Sequence, residues 1–334
     1  MPSLTFPAYR VTATRQPAEL VELTEADLPD SELLVEVRHS SLNYKDGLAM
    51  LGRPGVVRRY PLTCGIDLAG VVVEAAGHFS EGQLVVLTGG GLSETAPGGY
   101  SGYQRIDPTH AVAIPGTFGT RGAMAIGTAG VTAMLCVMRL EGAGIRPKDG
   151  PVLVTGASGG VGSYAVHLLS TLGYEVHAST GKTQETDYLV ALGATDVIGR
   201  DELADAGRPL ASETWAAAVD SVATTTLATV LSRIRYGGAV AACGLASGID
   251  LPTTVLPFIL RGVSLLGVDS VWAPPLIRQQ AWSRLEDLVT PKALEQISVD
   301  SDFENLPTLS REILAGEIRG RVVVAIGTDG QHGN

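Results

Sequence analysis

Cysteine is scarce and scattered in this chain. Cys64, Cys136 and Cys243 form no CxxC pair, so their spacing offers neither a disulfide framework nor a zinc knuckle. They read as small buried apolar residues of a protein expected in a reducing cytoplasm. Positive charge is also short. Twenty-four Lys and Arg against 35 Asp and Glu leave a net charge of −11, with no basic stripe, which argues against a nucleic-acid partner. No run of apolar residues approaches the roughly 18 to 20 needed to span a bilayer, so no membrane partner is expected. The opening Met1-Pro-Ser-Leu-Thr-Phe lacks a basic stretch followed by an apolar one, so secretion is not expected either.

What is present describes a globular chain. Its 334 residues exceed one typical core and suit two domains. The 41 glycines gather in short loops, which suits backbone that must approach a ligand closely. Residues 1–123 have all-β texture: Leu33-Leu-Val-Glu-Val37, Gly70-Val-Val-Val-Glu74 and Gln83-Leu-Val-Val-Leu87 are apolar strands bounded by turn residues. Across residues 124–272 strands alternate with helices. Pro151-Val-Leu-Val-Thr155, Glu175-Val-His-Ala-Ser179, Val197-Ile198, Ala216-Ala-Ala-Val219, Ala239-Val-Ala-Ala-Cys243 and Val263-Ser-Leu-Leu-Gly267 read as strands. That alternation predicts a parallel, doubly wound α/β sheet. In residues 273–334 an amphipathic helix surrounds Gln280–Val289, and Gly320-Arg-Val-Val-Val-Ala325 reads as an edge strand returning to the N-terminal β-domain. The last residues, 327–334, read as a frayed tail.

The chemistry-bearing motif is Gly156-Ala-Ser-Gly-Gly-Val-Gly162, set between an apolar strand and a helix. A pyrophosphate needs bare N–H groups at a helix start, where the macrodipole favours negative charge. Side chains at Gly159 or Gly160 would hold the phosphates away, and Gly162 allows close packing of the helix. A tight turn without a ligand is the competing reading. A chain that prefers NAD carries an acid about 20 residues beyond the glycines. Here that place holds Ser179-Thr180-Gly181-Lys182, with no acid before Glu185. Hydroxyls, a free amide and an ammonium group suit the 2′-phosphate of NADPH, and Arg200 follows the next strand. For Lys182 alone, a solvated helix start is the alternative.

Ser41-Leu-Asn-Tyr-Lys-Asp-Gly-Leu-Ala49, Pro61-Leu-Thr-Cys-Gly-Ile-Asp-Leu-Ala-Gly70 and Gly127-Thr-Ala-Gly-Val-Thr-Ala-Met-Leu-Cys-Val-Met138 resemble the medium-chain dehydrogenase/reductase superfamily. So do the glycine loop, Leu251-Pro-Thr-Thr-Val-Leu-Pro-Phe-Ile-Leu260 and Gly267-Val-Asp-Ser270. Within it they look most like the quinone-oxidoreductase-like, acrylyl-CoA reductase (AcuI/YhdH-type) branch. The resemblance implies a β-rich GroES-like catalytic domain, residues 1–123 with 273–334, beside a Rossmann domain, 124–272. Zinc-dependent members place a Gly-His-Glu segment where this chain has Gly65-Ile66-Asp67. The histidine ligand is therefore absent, six scattered histidines offer no tetrahedral set, and no metal is expected. At Thr88–Gly99 relatives carry Trp and His where this chain has Gly90, Ala96 and Pro97, which touches substrate fit.

The resemblance further implies NADPH contacts at Tyr44, Ser158, Gly159, Gly160, Val161, Thr180, Gly181, Lys182 and Arg200, and at Leu245, Ile259, Ser270 and, by backbone, Gly316. The implied reaction is reduction of an activated C=C bond, acrylyl-CoA to propionyl-CoA. Hydride goes to the carbon β to the thioester and a proton to the α-carbon, so the protein must orient the partners and stabilise an enolate. Tyr44 is the candidate for polarising the substrate or giving the proton, against a nicotinamide wall or plain core. Asn43 is a candidate for orienting a carbonyl, against a turn role. Asp67 is a candidate ionised residue behind the site, against a structural acceptor. Arg53, Arg58 and Arg59 form a basic cluster that suits the phosphates of coenzyme A, against a solvated loop. A quinone or enone oxidoreductase and a non-catalytic NADPH-binding sensor are the rival functions. A homodimer through the edge near Val263–Gly267 is also implied.

Overall fold

The computed structural model describes residues 4–205 and 207–326; the tail read as frayed lies outside them. The chain divides into two compact units. One takes the chain up to Thr128, Ser270–Glu286 and the residues from Thr290 onward; the other takes Ala129–Asp269 with Asp287–Val289.

The first unit opens with β1 (Thr5–Val11), β2 (Glu19–Thr24), β3 (Leu33–Leu42), β4 (Leu62–Thr63), β5 (Asp67–Glu74), β6 (Leu84–Thr88), β7 (Tyr103–Ile106) and β8 (Val112–Ala113). The strands are not alone. Helix α1 (Tyr44–Met50) interrupts them, and α2 (Gly119–Gly142) follows. Tyr44 thus begins a helix within a region whose sequence has strand texture. Helix α2 is long and apolar enough, at mean hydropathy 1.6, to cross a membrane by length and composition, contrary to the expectation of no such run. Its apolar window is 83% buried inside the fold, so its side chains are covered by protein.

The second unit holds β9 (Val152–Thr155), β10 (Val176–Thr180), β11 (Asp196–Gly199), β12 (Trp215–Asp220), β13 (Ile234–Ala242) and β14 (Ser264–Gly267). Helices α3 (Gly160–Thr171), α4 (Thr186–Ala191), α5 (Thr224–Arg233) and α6 (Leu256–Arg261) lie between them in the chain. The strand order is β11-β10-β9-β12-β13-β14, and every pairing is parallel. Val152, Leu153 and Val154 are all buried, as expected of a strand covered on both faces. The chain winds outward from β9 through β10 and β11, then crosses back to β12 on the other side of β9. Ligands of such sheets bind beyond the carboxyl ends of the strands at that reversal.

The chain then runs through α7 (Pro275–Leu288), α8 (Pro291–Ile297), β15 (Ser298–Asp302), α9 (Leu306–Ala315) and β16 (Arg321–Ala325). β16 does return to the N-terminal sheet, but not as its edge. It pairs antiparallel with β3 and parallel with β15, giving the order β15-β16-β3-β5-β6-β8, with β7 also on β3. β15 supplies the missing edge: its sequence, Ser-Val-Asp-Ser-Asp, is too polar to announce a strand. The core beneath gathers Val35, Val37, Leu68, Val72, Val85, Val322 and Val324. Each apolar side chain buried there contributes about 1.5–3 kcal/mol.

Candidate functional site

The second unit concentrates its polar apparatus at the carboxyl ends of β9, β10, β11, β12 and β13. Gly156 turns out of β9 with φ +59, and Gly159 N–H donates to Gly156 O at 3.0 Å, closing the turn before α3. A Cβ on Gly162 would overlap Gly156 O and the Ala157 backbone. The glycine is therefore needed by the loop itself, more than by packing of the helix on a strand. The loop is tied to β10: Ala157 N–H donates to Ser179 O at 3.0 Å, and the Ser158 and Thr180 hydroxyls are 2.9 Å apart. Thr180 Oγ1 also accepts from Lys182 N–H at 3.0 Å. Arg200 lies against Gly181, where an added Cβ would meet the guanidinium. Ser158, Thr180, Gly181, Lys182 and Arg200, chosen from the sequence, are thus brought together, with Gly159, Gly160 and Val161 opening α3 beside them.

On the other side of β9, Asp220 ends β12 fully buried. It accepts from Thr155 Oγ1 at 2.7 Å and from Ala223 N–H at 2.8 Å, and burial raises its pKa. This holds a tight turn in which Ala223 and Thr224 take φ +68 and +50. Ser221, in the turn, donates to Thr155 O at 3.1 Å. None of these residues was singled out from the sequence, although two successive left-handed residues without glycine leave no sequence signature. Leu245, past β13, and Ile259, on α6, are exposed at 57% and 68%.

In the first unit Tyr44 is the first residue of α1 and 41% exposed. Behind it lies a buried polar network. Asp67 Oδ2 accepts from Ser41 Oγ (2.5 Å), Asn43 Nδ2 (2.9 Å) and Thr128 N–H (3.0 Å), while Oδ1 accepts from Thr128 Oγ1 (2.6 Å). Arg321 supplies the cation. Its Nη2 is 2.7 Å from Ser41 Oγ and 3.7 Å from Asp67 Oδ2, and its Nη1 donates to Leu42 O (3.0 Å) and Asn43 Oδ1 (2.9 Å). Asp46, wholly buried, accepts from Asn43 N–H (2.9 Å), Asn43 Nδ2 (3.0 Å) and Ile66 N–H (2.8 Å). Burial, with the Asp67 charge second, pushes Asp46 up to about 7 against the pull of those donors. Gly127 passes through at φ +49, where a Cβ would stand 2.5 Å from Arg321 Nη2 and 2.7 Å from Asp67 Oδ2. A side chain there would have to displace the Arg321, Asp67 and Ser41 groups from one another.

This placement redefines two candidates. Asp67 has no exposed surface and its oxygens are fully engaged, while Asn43 is 8% exposed with both ends of its amide bonded. Both are thus engaged by protein groups around the start of α1. Asp46 and Arg321 escaped the sequence reading. Arg321 and Asn43 are 278 positions apart, and the signal that remained was an arginine opening an otherwise apolar strand.

The other expected residues are scattered over the first unit. Arg53, Arg58 and Arg59 are exposed in the segment after α1. Arg58 Nη2 is 3.8 Å from Glu94 Oε2, and Lys45 Nζ is 2.6 Å from Glu94 Oε1. The Ser270 and Val271 carbonyls accept from buried Arg278 at 3.3 and 3.0 Å. Gly316 caps α9 at φ +74. Gly89, Gly90 and Gly91 all take positive φ, and Trp272 packs over Gly91 while remaining 55% exposed. Among the described residues no three His, Cys, Asp or Glu side chains gather as a metal site.

Comparison with known proteins accords with this architecture. Residues 29–138 match the alcohol dehydrogenase GroES-like domain, and residues 160–289 match the zinc-binding dehydrogenase family. The chain is 48% identical over 311 residues to acrylyl-CoA reductase AcuI of Ruegeria pomeroyi, covering 92% of this chain and 94% of that protein. It superposes on the yhdH oxidoreductase from Salmonella enterica in complex with NADP at TM-score 0.93, with 46% identity, covering 96% and 100% of the two chains. Bacillus subtilis protein yhfP with NAD bound gives TM-score 0.92 and 42% identity over 97% and 100%. The chain belongs to the acrylyl-CoA reductase (AcuI/YhdH-type) family of the medium-chain dehydrogenase/reductase superfamily.

Proposed function

We propose that this chain is an NADPH-dependent reductase of an activated C=C bond, with acrylyl-CoA as substrate and propionyl-CoA as product. The observation that carries this is near-complete coverage of an acrylyl-CoA reductase at 48% identity, on a fold whose glycine loop sits at the sheet reversal. The loop amides suit a pyrophosphate, and Ser158, Thr180, Gly181, Lys182 and Arg200 suit a 2′-phosphate. The exposed Leu245 and Ile259, with Ser270 and Gly316, are assigned to the rest of the cofactor.

Bound NADPH supplies the hydride that goes to the β-carbon. The protein orients the alkene and stabilises negative charge on the thioester oxygen. Tyr44 is assigned to that oxygen or to protonation of the α-carbon, since a phenol hydroxyl can donate. Asn43, Asp46, Asp67 and Arg321 fix the helix that begins with Tyr44. Arg53, Arg58 and Arg59 are assigned to the coenzyme A phosphates; Glu94 already engages Arg58, so Arg53 and Arg59 carry most of this role. No step is routed through zinc, because Ile66 stands at the ligand position and Asp67 is committed to Arg321, Asn43, Ser41 and Thr128. A chelator should leave activity unchanged.

The loop with Gly89–Gly91 beneath Trp272 favours a second reading in which the alkene belongs to a quinone or enone. Steady-state kcat/KM for acrylyl-CoA against a simple quinone separates the two. A preference below about tenfold, or ~1.4 kcal/mol in transition-state binding, would remove the acrylyl-CoA assignment. Tight NADPH binding without oxidation by either substrate would favour the sensor. A homodimer is proposed through β14, an edge strand that carries exposed Leu265 and follows exposed Leu260 on α6. Sedimentation equilibrium tests it.

A further inference from the structure

Arg278, on α7, is buried to 1% exposure, and its guanidinium grips two segments far apart in the chain. Nη1 donates to the Thr88 carbonyl and, at 3.1 Å, to Thr88 Oγ1 at the end of β6. Nη2 donates to Ser270 O at 3.3 Å and Val271 O at 3.0 Å. The two segments also meet directly. Gly90 N–H donates to Val271 O at 2.9 Å, and a Cβ on Gly89 would stand 2.9 Å from Val271 Cα and 3.1 Å from Ser270 O. Lysine could not replace the clasp, because an ammonium lacks the planar fork that reaches both segments.

Both segments lead to groups of the proposed reaction. The chain passes from the second unit into the first between Asp269 and Ser270, and Ser270 is assigned to the cofactor. Trp272 follows, its ring packed on Gly91 and edge-on to His110 with centroids 6.0 Å apart. On the other side, Gly89 N–H donates to Ile66 O at 3.0 Å. Ile66 N–H donates to Asp46 Oδ1 at 2.8 Å, and Asp46 Oδ2 accepts from the N–H of Asn43, the residue before Tyr44, at 2.9 Å. Glu94 N–H donates to Gly91 O at 3.1 Å, and its carboxylate is 2.6 Å from Nζ of Lys45, the residue after Tyr44. The glycine turn therefore joins the Ser270–Trp272 segment to both chain neighbours of Tyr44. Packed interiors transmit small shifts along such contacts because they have little free volume.

We propose that Arg278 is a positioning residue for the reduction. It holds Ser270, Trp272 and the turn Gly89–Gly91 as one body, and so fixes where the cofactor contact Ser270 stands relative to Tyr44. This rests on the assignment of Ser270 to NADPH and of Tyr44 to the acceptor. Hydride transfer is sensitive to such placement, on the order of 10²-fold in rate for a shift of about 1 Å. The groups assigned to the pyrophosphate and the 2′-phosphate belong to the second unit and make no part of the clasp.

The test is Arg278→Lys in the full chain. Single-turnover oxidation of NADPH by acrylyl-CoA should slow on the order of 10²-fold, while NADPH Kd changes little. With NADPH deuterated at the transferred position, the isotope effect on kcat should rise as hydride transfer becomes limiting, which a mere loss of folded protein does not produce. Hydrogen exchange should quicken across residues 88–92 and 270–273 and stay as it was across 151–172. Should that variant fail to fold, Thr88→Val removes only the hydroxyl acceptor and should slow single turnover severalfold with the same isotope and exchange signature. An unchanged single-turnover rate and isotope effect in the folded variant would overturn the positioning role. Equal exchange in the two proteins would overturn the clasp. Failure of the unaltered chain to oxidise NADPH with acrylyl-CoA would instead strike the reductase reading, with the exchange pattern still deciding the clasp.

Discussion

The side-chain amide of Asn43 stands between two buried carboxylates: its Nδ2 is 3.0 Å from Asp46 Oδ2 and 2.9 Å from Asp67 Oδ2. One guanidinium, that of Arg321, serves this pair, and it lies near Asp67. Two negative charges so close in an apolar interior cost more than one cation returns, and Asp46 answers by holding its proton more tightly.

The pH dependence of stability follows from that proton. Asp46 is raised to about 7 in the native state, against about 3.9 in an unfolded chain. Its contribution to stability is fully present below the unfolded value and is lost as pH rises through about 7. The urea midpoint should therefore fall between pH 5 and 8. Asp46→Asn should flatten that slope while costing about 1–3 kcal/mol at every pH, because its NH2 faces the N–H of Ile66 or Asn43. Equal slopes for the two proteins would remove Asp46 as the source.

Ala223 occupies φ +68, ψ −159, a region suited to glycine. Replacing it by glycine relieves about 1–3 kcal/mol of strain and loses about 0.5–1 kcal/mol through the freer unfolded chain. Ala223→Gly is expected to stabilise the protein by about 1 kcal/mol, read as a higher denaturant midpoint at constant m-value. A lower midpoint would contradict the strain.

Lys182→Glu sets a carboxylate beside the Thr180 and Arg200 groups assigned to the 2′-phosphate. NADPH Kd should rise on the order of tenfold or more, with NADH nearly unaffected. Titration of both cofactors against both proteins measures this, and equal losses would deny Lys182 its role. The contrast is instructive because relatives have been seen with either NADP or NAD.

Tyr44→Phe keeps the ring and removes the hydroxyl. If the phenol takes part in proton transfer or holds the thioester oxygen, kcat should fall on the order of 10²-fold with little change in NADPH affinity. Single-turnover oxidation of NADPH by acrylyl-CoA isolates the step. An unchanged rate would leave Tyr44 as a wall.

Arg53→Glu combined with Arg59→Glu should raise KM for acrylyl-CoA about five- to tenfold, more at low salt, and leave kcat alone. The same acyl group on pantetheine lacks the nucleotide phosphates and should be indifferent to the change. Equal effects on both thioesters would place the phosphates elsewhere.

What could be read in the sequence was local. The strand, glycine loop and helix of residues 151–172 announce themselves because β9 is buried on both faces and because the turn tolerates few side chains. Thr180 to Lys182 could be placed by counting along the chain. The support for Tyr44 could not, since Arg321 and Thr128 reach Asp67 from segments far away in sequence. Helices α8 and α9 and strand β15 were missed because only tertiary packing gives their short, mixed patterns a direction.

β16 lies inside the larger sheet, between a strand from the start of the chain and one close to its own end. Synthesis must therefore reach β16 before this layer can close. Until Arg321 docks, Asp67 has no counter-charge and β3 keeps an open flank. A nascent chain stalled before residue 321 would carry an acidic, unpaired seam, a target for holding chaperones and for proteolysis, whereas its six-stranded parallel unit is already complete.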